Sequence, residues 1–210
     1  MRVDLLNIIL TFITKISELI MFEDKLTDEE KKVLLKEARL ALISAVKGIK
    51  VENQNLSDYS PNLIENGASF VTLTKNGMLR GCIGALEPYQ PLVQDVCEHA
   101  VAAALSDYRF PEVKPYELDD IKIEISRLTI PQPVIYENPE DLLRKIKPQT
   151  DGIILRDGSR RATFLPQVWE KIPDPEDFLS QLCLKMGASS NLWMRKKITV
   201  EKYQVEEFSE

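Results

Sequence analysis

A single histidine stands among 210 residues, with only three cysteines and eight glycines beside it. Each scarcity removes a class of function. One imidazole cannot build a metal site that takes two, so the His-Glu-x-x-His zinc peptidases are excluded. The His-x-Glu deaminases fail as well, because they need further cysteine spacing that this chain lacks. Cys82, Cys97 and Cys183 are odd in number and far apart, unlike a secreted disulfide framework. A reducing cytosol is the expected compartment, with the intracellular disulfides of thermophiles as the exception. Eight glycines and twelve prolines form neither a collagen period nor a long linker. No glycine pattern for a phosphate loop or a dinucleotide is present. Basic excess is missing too: 27 Lys and Arg against 33 Asp and Glu leave a formal charge of -6, which argues against a protein that coats nucleic acid.

The remaining composition is that of a globular protein, 44% hydrophobic and 29% charged. At about 150 residues per domain the length suits one large domain or two closely packed lobes. The one long apolar stretch, residues 5–20, is interrupted by Asn7, Thr11, Thr14, Lys15, Ser17 and Glu18, too often for the ~20 apolar residues of a membrane span. No small-residue cleavage site follows it. Leu5, Ile9, Phe12, Ile13, Ile16, Leu19 and Ile20 recur at helical spacing, so residues 1–24 read as an amphipathic helical extension. Docking on the chain's own domain and pairing with a second subunit in a homodimer are both open to that face. A membrane surface is disfavoured by the lack of Lys and Arg on its polar side.

Local signals predict the rest. Thr27-Asp28-Glu29-Glu30 is a capping box, followed by a stripe of Leu34, Ala38, Ala41 and Ala45 and a stop at Gly48. Residues 51–68 lack periodicity and read as a loop. Asn76-Gly77 lies between two β-prone runs, the preferred two-residue hairpin turn. A straight ladder from that turn sets Leu73 opposite Arg80 and Val71 opposite Cys82, with Arg80 and Cys82 on one strand face. Pro91 opens a helix with Leu92, Val96, Ala100, Ala103 and Ala104 inward, stopped before Pro111. Ile121–Ser126 alternates as a half-buried strand. Asn138-Pro139 and Asp174-Pro175 each start a helix, Asp157-Gly158 turns a second hairpin, and Ile198–Val205 is a closing strand with a bulge near Glu201-Lys202. Hairpins and separate helices without a βαβ rhythm give an α+β fold with antiparallel sheets flanked by helices.

Chemistry concentrates in three places. In Leu79-Arg80-Gly81-Cys82-Ile83-Gly84 a guanidinium beside a thiol favours the thiolate, and Gly81 and Gly84 leave room for a ligand or another backbone. Equally, Cys82 can be a small core residue and the glycines a bulge. Asp107-Tyr108-Arg109-Phe110-Pro111 follows a helix end, where Arg109 can grip an anion or merely cap carbonyls. Gln167, in Leu165-Pro166-Gln167-Val168, offers both a donor and an acceptor. Asp95 and His99, four apart on one helix, would with Cys82 imitate a Cys-His-Asp hydrolase. A zinc site from Cys82, Cys97, His99 and Cys183 lacks any Cys-x-x-Cys pair, so no metal and no cofactor is expected. The basic runs Arg156–Arg161 and Arg195-Lys196-Lys197 have no interleaved aromatics for stacking on nucleic acid, which counts against that partner without removing it.

These segments, in their order, together with Glu124-Ile125-Ser126 and Asp151-Gly152, resemble the AMMECR domain family, whose prokaryotic members are called AmmeMemoRadiSam system protein A. The Arg-Gly-Cys-Ile-Gly run is highly specific to it. The resemblance covers about residues 26–210, so the domains expected are an extension, 1–24, and an AMMECR domain, 25–210. Asp151 stands where many members have a histidine, so no role of that imidazole carries over. The resemblance implies two lobes, the second inserted between the terminal parts of the first, and a cytoplasmic protein accompanying Memo-type and radical SAM proteins. Two uses follow for the cleft expected around Arg80 and Cys82. One is a thiol-centred enzyme or substrate-handling component for a small molecule or protein, with Cys82 as nucleophile beside Arg80 and with Gly81, Gly84, Asp107, Arg109 and Gln167 binding the substrate. The other is a non-catalytic module that binds protein or RNA.

Overall fold

Thr27 opens the first helix, α1 (Asp28–Val46), as its sequence predicts. Its hydroxyl accepts the Glu30 N–H at 3.2 Å, and the Glu30 carboxylate accepts the Thr27 N–H at 2.8 Å. The computed structural model describes residues 25–49 and 55–210, so the helix expected over 5–20 lies outside the described residues. Leu34, Ala38, Ala41 and Leu42 form the buried stripe of α1, and Gly48, at φ +67°, ends it in the left-handed region. The described part of the expected 51–68 loop carries more structure than its composition suggested. A 3-10 turn (Leu56–Asp58), capped by Asn55, leads to the short α2 (Pro61–Ile64), which begins with proline at its first position.

β1 (Asn66–Lys75) starts before its β-prone run, because Asn66 and Gly67 pair with β3 (Gln90–Pro91). β2 (Met78–Gly84) returns antiparallel through Asn76 and Gly77, both at positive φ. α3 (Leu92–Leu105) buries Leu92, Val96, Ala100, Ala103 and Ala104 as expected. In β4 (Ile121–Leu128) the isoleucines 121, 123 and 125 are buried and Lys122 and Glu124 exposed, but Ser126 is buried. The first sheet runs β2-β1-β4-β9, with β3 on β1, where β9 is Val205–Ser209. Its core gathers Leu34, Leu42, Val71, Leu73, Val93, Val96, Ile123 and Ile125, each worth roughly 1.5–3 kcal/mol of burial.

The second sheet is β5 (Gln132–Pro133), β8 (Thr199–Tyr203), β6 (Gly152–Asp157) and β7 (Arg160–Phe164), in that order. α4 (Pro139–Lys145) and α5 (Pro175–Lys185) begin on Asn138 and Asp174, whose side chains accept N–H groups of the first turn. α6 (Leu192–Arg195) follows Gly187. Trp169 stacks on Phe178 at 3.6 Å between ring centroids. The closing strand carries no bulge at Glu201-Lys202: β8 pairs with β6 without a shift from Thr199 to Tyr203. It breaks at Gln204 instead, whose N–H is held by the Thr129 hydroxyl and whose carbonyl accepts the Thr129 N–H.

The fold is thus α+β with antiparallel pairings. The chain divides into two compact units, one running to Ser126 and resuming at Phe208–Glu210, the other Arg127–Glu207. The second is inserted in the sequence of the first. Among the described residues no helix is long and apolar enough to cross a membrane.

Candidate functional site around Cys82

The β1–β2 ladder is not straight. Lys75 faces Met78 and Thr74 faces Leu79, but Leu73 then faces Gly81, leaving Arg80 as the extra residue of a bulge. Beyond it Thr72 faces Cys82 and Val71 faces Ile83. This corrects the straight ladder, which set Leu73 opposite Arg80 and Val71 opposite Cys82. Because side chains alternate with period two, a slip of one residue moves each to the other face. Cys82 therefore leaves the side of Val71 and Leu73, both fully buried, for that of half-buried Thr72. Gly81 takes the inward position. A Cβ there would lie 2.1 Å from the Ala103 carbonyl oxygen, so the glycine is what lets α3 approach. At Gly84 the missing side chain is replaced by the Phe70 ring, 2.4 Å from where a Cβ would be.

The thiol of Cys82 is half-buried and accepts a hydrogen bond from the Thr72 hydroxyl at 3.3 Å. β2 is an edge strand, and side chains stand in for a neighbouring strand at Cys82. Its N–H donates to Asp107 Oδ2 at 2.9 Å, and its carbonyl accepts from Arg109 Nη2 at 3.1 Å. Asp107 and Arg109 are joined by a forked pair, Nε to Oδ1 at 2.8 Å and Nη2 to Oδ2 at 2.6 Å. The Arg109 guanidinium, aided by N–H bonds from Cys82 and Arg109, holds the Asp107 carboxyl far below the usual carboxylate range against the opposing effect of burial. Asp107 in turn raises Arg109.

Arg80 is spent on a different partner. Its Nε and Nη2 donate to the two oxygens of Glu117 at 3.2 and 3.1 Å, and Nη1 donates to the Pro111 carbonyl at 2.8 Å. Glu117 also accepts Lys75 Nζ at 3.1 Å and the Lys114 N–H at 3.0 Å. Its carboxyl is pushed down to about 2, chiefly by the bond from Arg80. Arg80 thus pins the bulge to the segment after α3. Asp95 and His99 are both buried, with His99 Nδ1 3.2 Å from Asp95 Oδ2 but without hydrogen-bond geometry. Asp95 is bonded instead by the Ser69 hydroxyl, at 2.6 Å, and no hydrogen bond joins His99 to Cys82.

Six of the seven predicted residues therefore lie in one unit: Arg80, Gly81, Cys82 and Gly84 on one strand, Asp107 and Arg109 bonded to it. Gln167 belongs to the second unit, where its Nε2 donates to Glu207 at 3.2 Å and it lines a cleft of about 530 Å3. Sequence reasoning missed Thr72 and Glu117. Glu117 had a signal in Lys114-Pro115-Tyr116-Glu117, a proline followed by a carboxylate that turns back on the turn's first N–H.

The AMMECR1 family model matches residues 35–208, a span that includes the whole Cys82 network. The chain belongs to the AMMECR1 family. Other AMMECR1-like proteins align along nearly the whole domain. A protein of Methanothermobacter thermautotrophicus is 40% identical over 191 residues, 88% of this chain and 96% of that one. One of Thermofilum pendens is 38% identical over 201 residues, 89% and 92% of the two chains. Among solved structures, uncharacterized protein PH0010 from Pyrococcus horikoshii is similar to this AMMECR1 chain with a TM-score of 0.68 at 36% identity, covering 88% of this chain and 93% of that one.

Proposed function

We propose that this AMMECR1 protein is a substrate-handling component whose working group is the Cys82 thiol, acting with Memo-type and radical SAM proteins in the cytoplasm. The observation that carries the reading is the bulge at Arg80, which takes the thiol out of the hydrocarbon core. The backbone behind the sulfur is fixed at both its N–H and its carbonyl. Thr72 donates a hydrogen bond to the sulfur at 3.3 Å and so fixes its direction. Among the described residues Arg109 Nη1 makes no hydrogen bond, and the side chain is 43% exposed, leaving both N–H groups of that nitrogen for a bound anion. All three guanidinium nitrogens of Arg80 are already bonded to Glu117 and Pro111, so its role is to position the strand. With no histidine bonded to Cys82, the reading is capture or presentation of a substrate rather than Cys-His hydrolysis.

Iodoacetamide labelling at neutral pH, followed by mass spectrometry, tests this. Cys82 is expected to react at least ~10-fold faster than Cys183, which is fully buried and whose thiol is pushed up by that burial, and faster than Cys97. Comparable slow labelling of all three overturns the thiol reading. It would favour a second one, a non-catalytic protein-binding module, for which Tyr108, 95% exposed beside Arg109, is the supporting feature.

A further inference from the structure

The cleft in the second unit is chemically one-sided. Gln167 turns its amide nitrogen to the Glu207 carboxylate at 3.2 Å. Gln204 turns its own to Asp151 Oδ1, also at 3.2 Å. Asp151 is fully buried and takes the Lys147 N–H on its other oxygen, with Lys202 Nζ 3.5 Å away. A carboxylate only accepts hydrogen bonds, so both amides are oriented by their partners and neither can flip. The side-chain carbonyl oxygens, Oε1, of Gln167 and Gln204 are left without a hydrogen-bond partner among the described residues. Glu170 and the second oxygen of Glu207 add negative acceptors to the same lining. Gln149 contributes an exposed amide from a residue held at φ +65°, a conformation that costs a non-glycine residue about 1–2 kcal/mol. Pro166 and Val205 supply apolar wall. The volume of about 530 Å3 lies in the range of small-molecule sites.

We propose that this cleft binds a cation rich in N–H donors on an aliphatic stem, a primary ammonium or a guanidinium. The carbonyls of Gln167 and Gln204 and the carboxylates of Glu170 and Glu207 accept the N–H groups, and Pro166 and Val205 hold the methylenes. An anion finds the carboxylates of Glu170 and Glu207 against it. The site is independent of the Cys82 thiol, so either can fail without the other.

Isothermal titration of the full chain at fixed ionic strength tests this with three probes: spermidine, an arginine blocked at both ends, and glutamate. Saturable one-site binding of spermidine or of the blocked arginine is expected, with no heat from glutamate. Spermidine alone identifies a free polyamine as the ligand, and blocked arginine alone a side chain carried on a peptide. Glu207→Gln, which removes a charge and frees the Gln167 amide to rotate, should weaken binding ~10-fold or more, as should Glu170→Gln at a second exposed position. No binding of either cation at millimolar concentration overturns the proposal. So does binding of glutamate with equal strength, or affinity unchanged in both variants when circular dichroism shows them folded.

Discussion

The β1–β2 and β6–β7 hairpins are both closed by two residues with glycine in the turn, yet they deliver their side chains differently. Asn76 and Gly77 both have positive φ, the type I′ pattern, whereas in the second hairpin Gly158 alone does, as in type II′. β6 and β7 then pair without interruption from Asp157–Arg160 to Ile153–Phe164, keeping Ile153, Leu155 and Ala162 inward. β2 inserts Arg80, and everything beyond it changes sides. A regular ladder serves packing. A bulge moves a chosen side chain out of the core and needs outside support, which Glu117, Asp107 and Arg109 provide.

The largest effect expected from this contrast lies at the two glycines that face neighbours. Gly81→Ala drives a methyl into the Ala103 backbone carbonyl, while Gly152→Ala meets the ring of Tyr203, nearest atom 2.4 Å away. Backbone of a packed helix yields less than a ring, so urea unfolding should show Gly81→Ala losing ~3 kcal/mol or more and Gly152→Ala less than that. Equal losses would remove the distinction between the hairpins.

The next effect is electrostatic and confined to the bulged hairpin. Glu117 has its carboxyl lowered from the ordinary 4.5 to about 2 in the folded chain. A lowered carboxyl contributes stability that is complete above the unfolded value and is lost as pH falls through the folded one. Urea midpoints should therefore decline between pH 4.5 and 2, and Glu117→Gln, with no group to titrate there, should decline less steeply. A variant as steep as the parent would show that the Arg80–Glu117 pair does not anchor the bulge.

The smallest effect is expected where the hairpins are alike. Among the described residues nothing lies within 4 Å of where a Cβ would stand at Gly77 or Gly158, and both have positive φ. Gly77→Ala and Gly158→Ala should each cost ~1–2 kcal/mol in thermal or urea unfolding, from backbone strain alone. A much larger loss at one turn would reveal a role beyond the reversal.

Much of this was legible in the sequence where the cause is local. The Thr27 capping box, the Asn138-Pro139 and Asp174-Pro175 helix starts and the inward stripe of α3 depend on neighbours in the chain and are found as predicted. The Asn76-Gly77 turn was legible too, but the bulge was not. It is set by the fit of Gly81 against Ala103, 22 residues on, and no periodicity records such a contact. For the same reason the Arg80–Cys82 adjacency looked like a charge beside a thiol, when the guanidinium is in fact bonded to Glu117. Asp107 and Arg109 were found as a motif, but their bonds to the Cys82 backbone needed the edge of the sheet to be seen.

Trp169 and Trp193 are the only tryptophans of the chain, and both are buried in the inserted unit, one stacked on Phe178 and the other donating to the Ser180 hydroxyl. Indole emission excited at the red edge, where tyrosine does not absorb, therefore watches that unit alone, while far-ultraviolet ellipticity watches α1 and α3 as well. Overlaying the two denaturation curves measures how cooperatively an interrupted chain and its insert melt, without a label or a mutation.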